Sequence, residues 1–347
     1  KSIKMKKIFL LLNVFLFVFC NTQKKDVNPE IEIYDKSIES IIDVHSEFEI
    51  IADSISLPEG PVWDNNSNSL FFVDNINDKI LKWNEEKGVV DFKKPGGNTG
   101  YSPNLGKGLL GPNGMIYDSE NNLLLVCQHG DRRIASLSNV NDQKSDFKTV
   151  IDNYDGMRLN SPNDLVMSKN GIIYFTDPPF AFFNLETFEF IDSELKELDF
   201  NGVFKYDPET NQTSIISKDI DAPNGLGLSS DEKFLYVNKM GRPFSKTNSK
   251  IIKINLLNLS SETIFEGKNL FQKYNDGSDF DGMAVHSSGN IFTSGPGGLL
   301  VISSEGKLLA KMNLKHITNC TFDNEEKYLY VTGFLDNPKV YRIKLKI

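Results

Sequence analysis

The stretch SPNDLVMSKNGIIYFTD, Ser161 to Asp177, sets an amide beside a proline, then an apolar run, a polar turn at Lys169 to Gly171, and a second run rich in β-branched and aromatic residues. That order is strand, turn, strand. Five other stretches follow it: LPEGPVWDNNSNSLFFVD from Leu57, GPNGMIYDSENNLLLV from Gly111, APNGLGLSSDEKFLYVN from Ala222, DFDGMAVHSSGNIFTS from Asp279 and TNCTFDNEEKYLYVTG from Thr318. A degenerate repeat every ~40 to 60 residues, with about four short strands per unit, is the signature of a β-propeller. The chain is therefore expected to be all-β, a six-bladed propeller. Glu59, Asn113, Asn163, Asn224, Asp281 and Asn319 fill the same place in their repeats. Equivalent positions in radially arranged blades converge on the axis, so these oxygens should surround one point. Hard oxygen donors around a point predict one divalent cation, Ca2+ before Mg2+, Mn2+ or Zn2+.

Between the repeats lie further short runs such as KILKWN, GVFKYD and KIIKINL, bounded by Asn, Asp and Gly. Helical periodicity is nearly absent. DSELKELDF, from Asp192, is the one stretch expected to be helical, as an insertion in the third blade. The last repeat supplies one strand too few for a four-stranded blade. FEIIADSIS, from Phe48, is placed to pair there and to remove the open edge.

With 38 basic and 47 acidic residues the net charge is −9, which argues against nucleic acid or an anionic membrane surface as partner. At the start, lysines precede an apolar run from Ile8 to Phe19, then Cys20 and a polar tail. The run is too short to span a bilayer and reads as a signal peptide over residues 1–20, with Met5 expected as the start of the frame. Cys20 closing the run resembles a lipobox, although Phe19 is bulkier than the residue usual before it. A cell-envelope or secreted protein is expected, touching the membrane only through a lipid anchor and acting as a monomer. Residues 21–45 read as a polar tether and residues 46–347 as the propeller. Cys127 and Cys320 sit inside apolar runs and read as buried small hydrophobes.

Several chemistries lack a starting residue. GYSPNLGKG from Gly100 fails the phosphate-loop spacing, and DGSDFDG from Asp276 would need a Glu where Ser287 stands for a calcium hand, with no flanking helices expected. There is no HExxH, GxSxG or CxxC.

Four of the repeat motifs, EGPVW at Glu59, SPND at Asn163, PNG at Asn224 and DGM at Asp281, in this order and at this spacing, resemble the senescence-marker-protein/gluconolactonase-like family over about 290 residues from Phe48 onward. HGDRR from His129 and TDPPF from Thr176 look more like its bacterial gluconolactonase branch. The resemblance implies a Ca2+-type ion on the axis and hydrolysis of sugar lactones. It carries Glu59, Asn224 and Asp281 over as metal ligands, and Asn163 as a fourth ligand or a substrate-binding amide. The vertebrate branch has an Arg where this chain has Ser161, so substrate preference does not transfer.

The chemistry follows from the residues as well. Glu59 and Asp281 would balance a divalent ion, leaving a neutral site that can polarise a lactone carbonyl and stabilise the oxyanion formed when water attacks. Asp281 is the candidate base for that water. Asn113, Asn319 and His129 are candidate substrate contacts. Alone, an Asn or Asp beside Gly or Pro is a turn residue, and His129 could equally cap a strand. Arg132 and Arg133 read as surface or blade-bridging groups. Trp63, Trp83, Tyr174, Phe175 and Phe180 read as blade core, with Phe180 also able to wall the pocket. Two other functions share the scaffold: an esterase or phosphotriesterase on the same ion, and a non-catalytic calcium-stabilised surface propeller that binds a sugar or protein.

Overall fold

A computed structural model describes residues 26–27, 29–138, 145–241, 244, 248–334 and 338–346. The signal-like segment with Cys20 lies outside the described residues. Among the described residues six antiparallel sheets of four or five strands follow one another along the chain, beside two two-stranded ribbons. The first blade takes Pro58–Asp64, Ser69–Asp74, Lys79–Asn84 and Gly88–Lys93, innermost strand first. The second to fifth blades open on Pro112–Asp118, Leu165–Met167, Pro223–Leu228 and Met283–Val285. The sixth takes Ile317–Phe322, Tyr328–Gly333 and Lys339–Lys344, and Phe48–Ala52 pairs with the last of these. The early strand thus completes the late blade, as its position in the sequence predicts.

Alternation along each strand sends apolar side chains between neighbouring blades. Phe71, Val73 and Ile80 of the first blade pack on Met115, Leu124 and Val126 of the second. Where the ring closes, Leu70, Phe72 and Trp83 meet Tyr330 and Val340. Cys127 and Cys320 are buried free thiols in such wedges.

Three expectations need correction. Residues 21–45 are no simple tether where they are described. Ile31–Ile33 adds a fifth strand to the fifth blade and Asp26–Val27 pairs with Phe48–Ala52. Between them a 3-10 turn at Lys36–Ser40 drives Ile38 and Ile42, both fully buried, into the core beside Leu309 and Ala310. DSELKELDF forms no helix. Its helical residues lose to tertiary context, since Leu198 is drawn into the second-to-third blade core. Finally, a helix does precede Asp276, at Lys268–Tyr274, with none of its residues buried.

Candidate active site

Each axial residue sits near or just before the start of an innermost strand, and in four of the six blades the pairing with the second strand slips there. The register shifts between Glu59 and Val62, Pro112 and Met115, Pro223 and Leu226, and Ile317 and Asn319. Such bulges re-aim a side chain, here toward the axis. A collar of glycines then lets the blades close up. A Cβ on Gly60, which holds a φ of 50°, would lie 2.0 Å from the Asn113 carbonyl oxygen. One on Gly225 would lie 2.4 Å from the Asp281 carbonyl oxygen, and one on Gly282 2.0 Å from Asn319 Cγ. Backbone bonds stitch the same contacts: Gly114 N donates to Asn163 O at 2.8 Å and Gly225 N to Asp281 O at 2.9 Å.

The third blade is pinned from behind. Asn160 N and Ser161 N each donate to the Asp177 carboxylate at 2.7 Å, and Asn163 N donates to Thr176 O at 2.9 Å. Arg132 bridges from the second blade, its Nε 2.8 Å from Leu159 O. Asp177, which the repeat pattern does not single out, is what fixes the turn carrying Asn163.

The structure brings the acidic members of the predicted set together. Glu59 is buried, and its carboxylate accepts from Gly60 N at 2.8 Å and from Asn319 Nδ2 at 3.2 Å. Burial pushes its pKa up to about 7. Asp281 remains partly exposed, and burial with the charges of Glu59, Asp279 and Asp164 holds its carboxyl well above the usual range, against a hydrogen bond from Asn224. Asn224 Nδ2 also lies 3.0 Å from Met240 Sδ. Asn163 Nδ2 stands 3.5 Å from His129 Nε2. His129 Nδ1 is 3.2 Å from Leu109 O, and burial lowers its pKa to about 4, so the ring is neutral with Nδ1 the donor and Nε2 the acceptor. Asn113 is buried on its inner strand beside Gly60.

Repeat reasoning misses Asp164. It occupies the slot where four of the other repeats carry Gly60, Gly114, Gly225 and Gly282, and that break in the pattern is its signal. Its Oδ1 lies 2.5 Å from where a Cβ on Gly114 would stand, and its carboxylate accepts from Leu165 N at 2.9 Å, with the Asn319 side chain and the Leu226 backbone also favouring its charged form. Burial, then the Glu59 charge, pushes its pKa up to about 8.

Three carboxyl groups therefore crowd the axis, and the largest charge effects on Asp281 and Asp164 come from other acids. Buried acids so arranged hold protons or a cation. Among the described residues no three His, Cys, Asp or Glu side chains are grouped to hold a metal by themselves. Amide oxygens would have to complete a cation's shell, and the all-oxygen donor set of Glu59, Asp281, Asn163 and Asn224 suits a hard divalent ion.

Two regions flank this layer. On the His129 side, Phe180, Ala222 and Met240 form a buried apolar cluster with Leu109 and Phe244 against it. At the opposite end the inner strands open into a funnel of about 650 Å³, which meets the axial layer at Gly60, Asp164 and Asn319 and is walled by Val62, Ile116 and Val166.

The family model described as SMP-30/Gluconolactonase/LRE-like region matches residues 57–334. A gluconolactonase of Zymomonas mobilis subsp. mobilis is 33% identical over 320 residues, 90% of this chain and 85% of that protein. The solved structure of a gluconolactonase from Xanthomonas campestris superposes with a TM-score of 0.75 at 25% identity, covering 93% of this chain and 96% of its own. A luciferin-regenerating enzyme superposes at 0.63 and 18% identity, covering 86% and 95% of the two chains, a likeness of fold alone.

Proposed function

The chain belongs to the SMP-30/gluconolactonase/LRE-like family, and on that premise we propose that it hydrolyses a lactone, with an aldonolactone such as gluconolactone as the first substrate to test, at a metal-dependent site on the propeller axis. The observation that carries the reading is the charge of buried Glu59 on Asp281, with the Asn224 side chain also acting on Asp281, while Asn163, at the equivalent repeat position, pairs with neutral His129.

Glu59, Asn163, Asn224 and Asp281 would hold one divalent ion, Ca2+ by preference for an all-oxygen set. When bound, such an ion supplies Lewis acidity toward the lactone carbonyl and favours the ionised forms of Glu59 and Asp281. His129 accepts from Asn163 Nδ2, which leaves the Asn163 carbonyl oxygen as the atom that would face the ion. Asn319 and Gly60 N hold Glu59 in place. Asp281, partly exposed, takes a proton from the attacking water. The water oxygen joins the carbonyl carbon, the acyl–oxygen bond of the ring breaks, and the proton passes to the departing ring oxygen to give the hydroxy acid.

The experiment is acid release from a panel of aldonolactones with and without chelator. Chelator-sensitive release, restored by Ca2+ or another divalent ion, supports the reading. No release from any lactone in fully metallated protein would overturn it.

A further inference from the structure

We propose that the site takes a lactone carrying an apolar substituent, and that Phe180 and Met240 form the surface on which this substituent lies. The inference rests on the lactone hydrolysis proposed above and names the substrate class within it. Phe180 and Met240 stand one side chain away from the axial amides: the Phe180 ring centroid is 6.2 Å from that of His129, and Met240 Sδ is 3.0 Å from Asn224 Nδ2. From Phe180 an aromatic surface runs outward. Its ring is 5.4 Å from Phe244, Phe244 is 5.1 Å from Phe183, and Phe183 is 5.1 Å from Phe190. Phe190 and Phe188 end that run exposed to solvent.

Several polar side chains near this wall are already engaged. Ser161 Oγ donates to Pro178 O and accepts from Ala181 N. Asp279 accepts from Gly241 N and Ser249 Oγ. The Asn104 amide spans Asn98 and Gly130, and Lys239 pairs with Asp221. A polyhydroxylated ring would press hydroxyls that have shed their water against ring faces and a thioether. An alkyl substituent sheds nothing polar and covers apolar area.

The test is kcat/KM of the whole protein for δ-decanolactone and δ-gluconolactone, read by acid release, in wild type, Phe180→Ala, Phe180→Leu, Met240→Ala and Ile116→Phe. We expect wild type to favour the alkyl lactone by roughly tenfold or more, the range that added methylenes give in an apolar pocket. Phe180→Ala and Met240→Ala should lose about tenfold on δ-decanolactone with gluconolactone held within about threefold, Phe180→Leu should retain most of the preference, and Ile116→Phe, in the opposite funnel, should leave the ratio unchanged. A wild-type preference for gluconolactone overturns the inference while leaving lactone hydrolysis standing. Equal losses on both substrates with unchanged melting temperatures, or a selective loss in Ile116→Phe, also overturn it. Acid release from neither lactone overturns both readings.

Discussion

Asn319 of the sixth blade donates its side-chain amide to Glu59 Oε2 of the first, 3.2 Å away, across the seam where the ring closes. The same side chain also favours the charged form of Asp164 in the third blade. Closure of the propeller and placement of the Glu59 carboxylate are therefore one event. Replacing Asn319 by Ala should cost roughly tenfold in kcat/KM and weaken divalent-ion affinity, the scale on which removing an outer partner of a ligand acts. Steady-state kinetics across a metal titration reads both, and an unchanged profile would sever Asn319 from the site.

Glu59 and Asp164 have pKa values raised to about 7 and about 8, and that of Asp281 is raised as well. The folded, metal-free protein then binds more protons than the unfolded chain above the ordinary carboxylate range, so these groups make stability fall as pH rises toward 8. His129, lowered to about 4, acts with the opposite sign, but only between about 4 and its ordinary value of 6.5. Between pH 6.5 and 8 the acids act alone. Scanning calorimetry of chelated protein should show Tm dropping across that window, and added Ca2+ should raise Tm more at pH 8 than at pH 6.5. A flat Tm without metal would mean the carboxyls are not forced together.

Gly60 combines a left-handed backbone with the Asn113 carbonyl in the space a Cβ would need. Gly60→Ala should destabilise by about 2 kcal/mol or more, by strain and by pushing the first and second blades apart at the axis. Denaturant unfolding measures the loss, and a shift within about 0.5 kcal/mol would show that the collar can relax.

Ile38 and Ile42 are fully buried. Removing residues 1–45 should cost about 3 kcal/mol or more from these two side chains, a fall of about 5 °C or more in Tm for a chain of this size. Equal melting of the two forms would restore the tether reading.

The inner-strand positions were legible because the repeat states them six times over, and the closing strand because the last repeat is one strand short. The N-terminal packing carried a fainter mark. Ile38, Ile41 and Ile42 fall three and four apart in an otherwise polar stretch, a spacing that one turn turns into a single buried face. Asp164 was hidden because it looks like an ordinary turn residue after Asn163, and only its place in a glycine slot sets it apart. His129 showed as a candidate, but its neutral tautomer and its hold on Asn163 depend on Leu109, brought in by a loop whose path no repeat predicts.

Asp281 is the group proposed to take the proton from water. The direct measurement is kcat for lactone hydrolysis by Asp281→Asn at saturating divalent metal, which keeps a ligand oxygen and nearly the same shape while removing the proton acceptor. A fall of roughly 100-fold or more is predicted, the usual contribution of a general base. A near-normal kcat would contradict the base role and leave Asp281 without the catalytic part proposed for it.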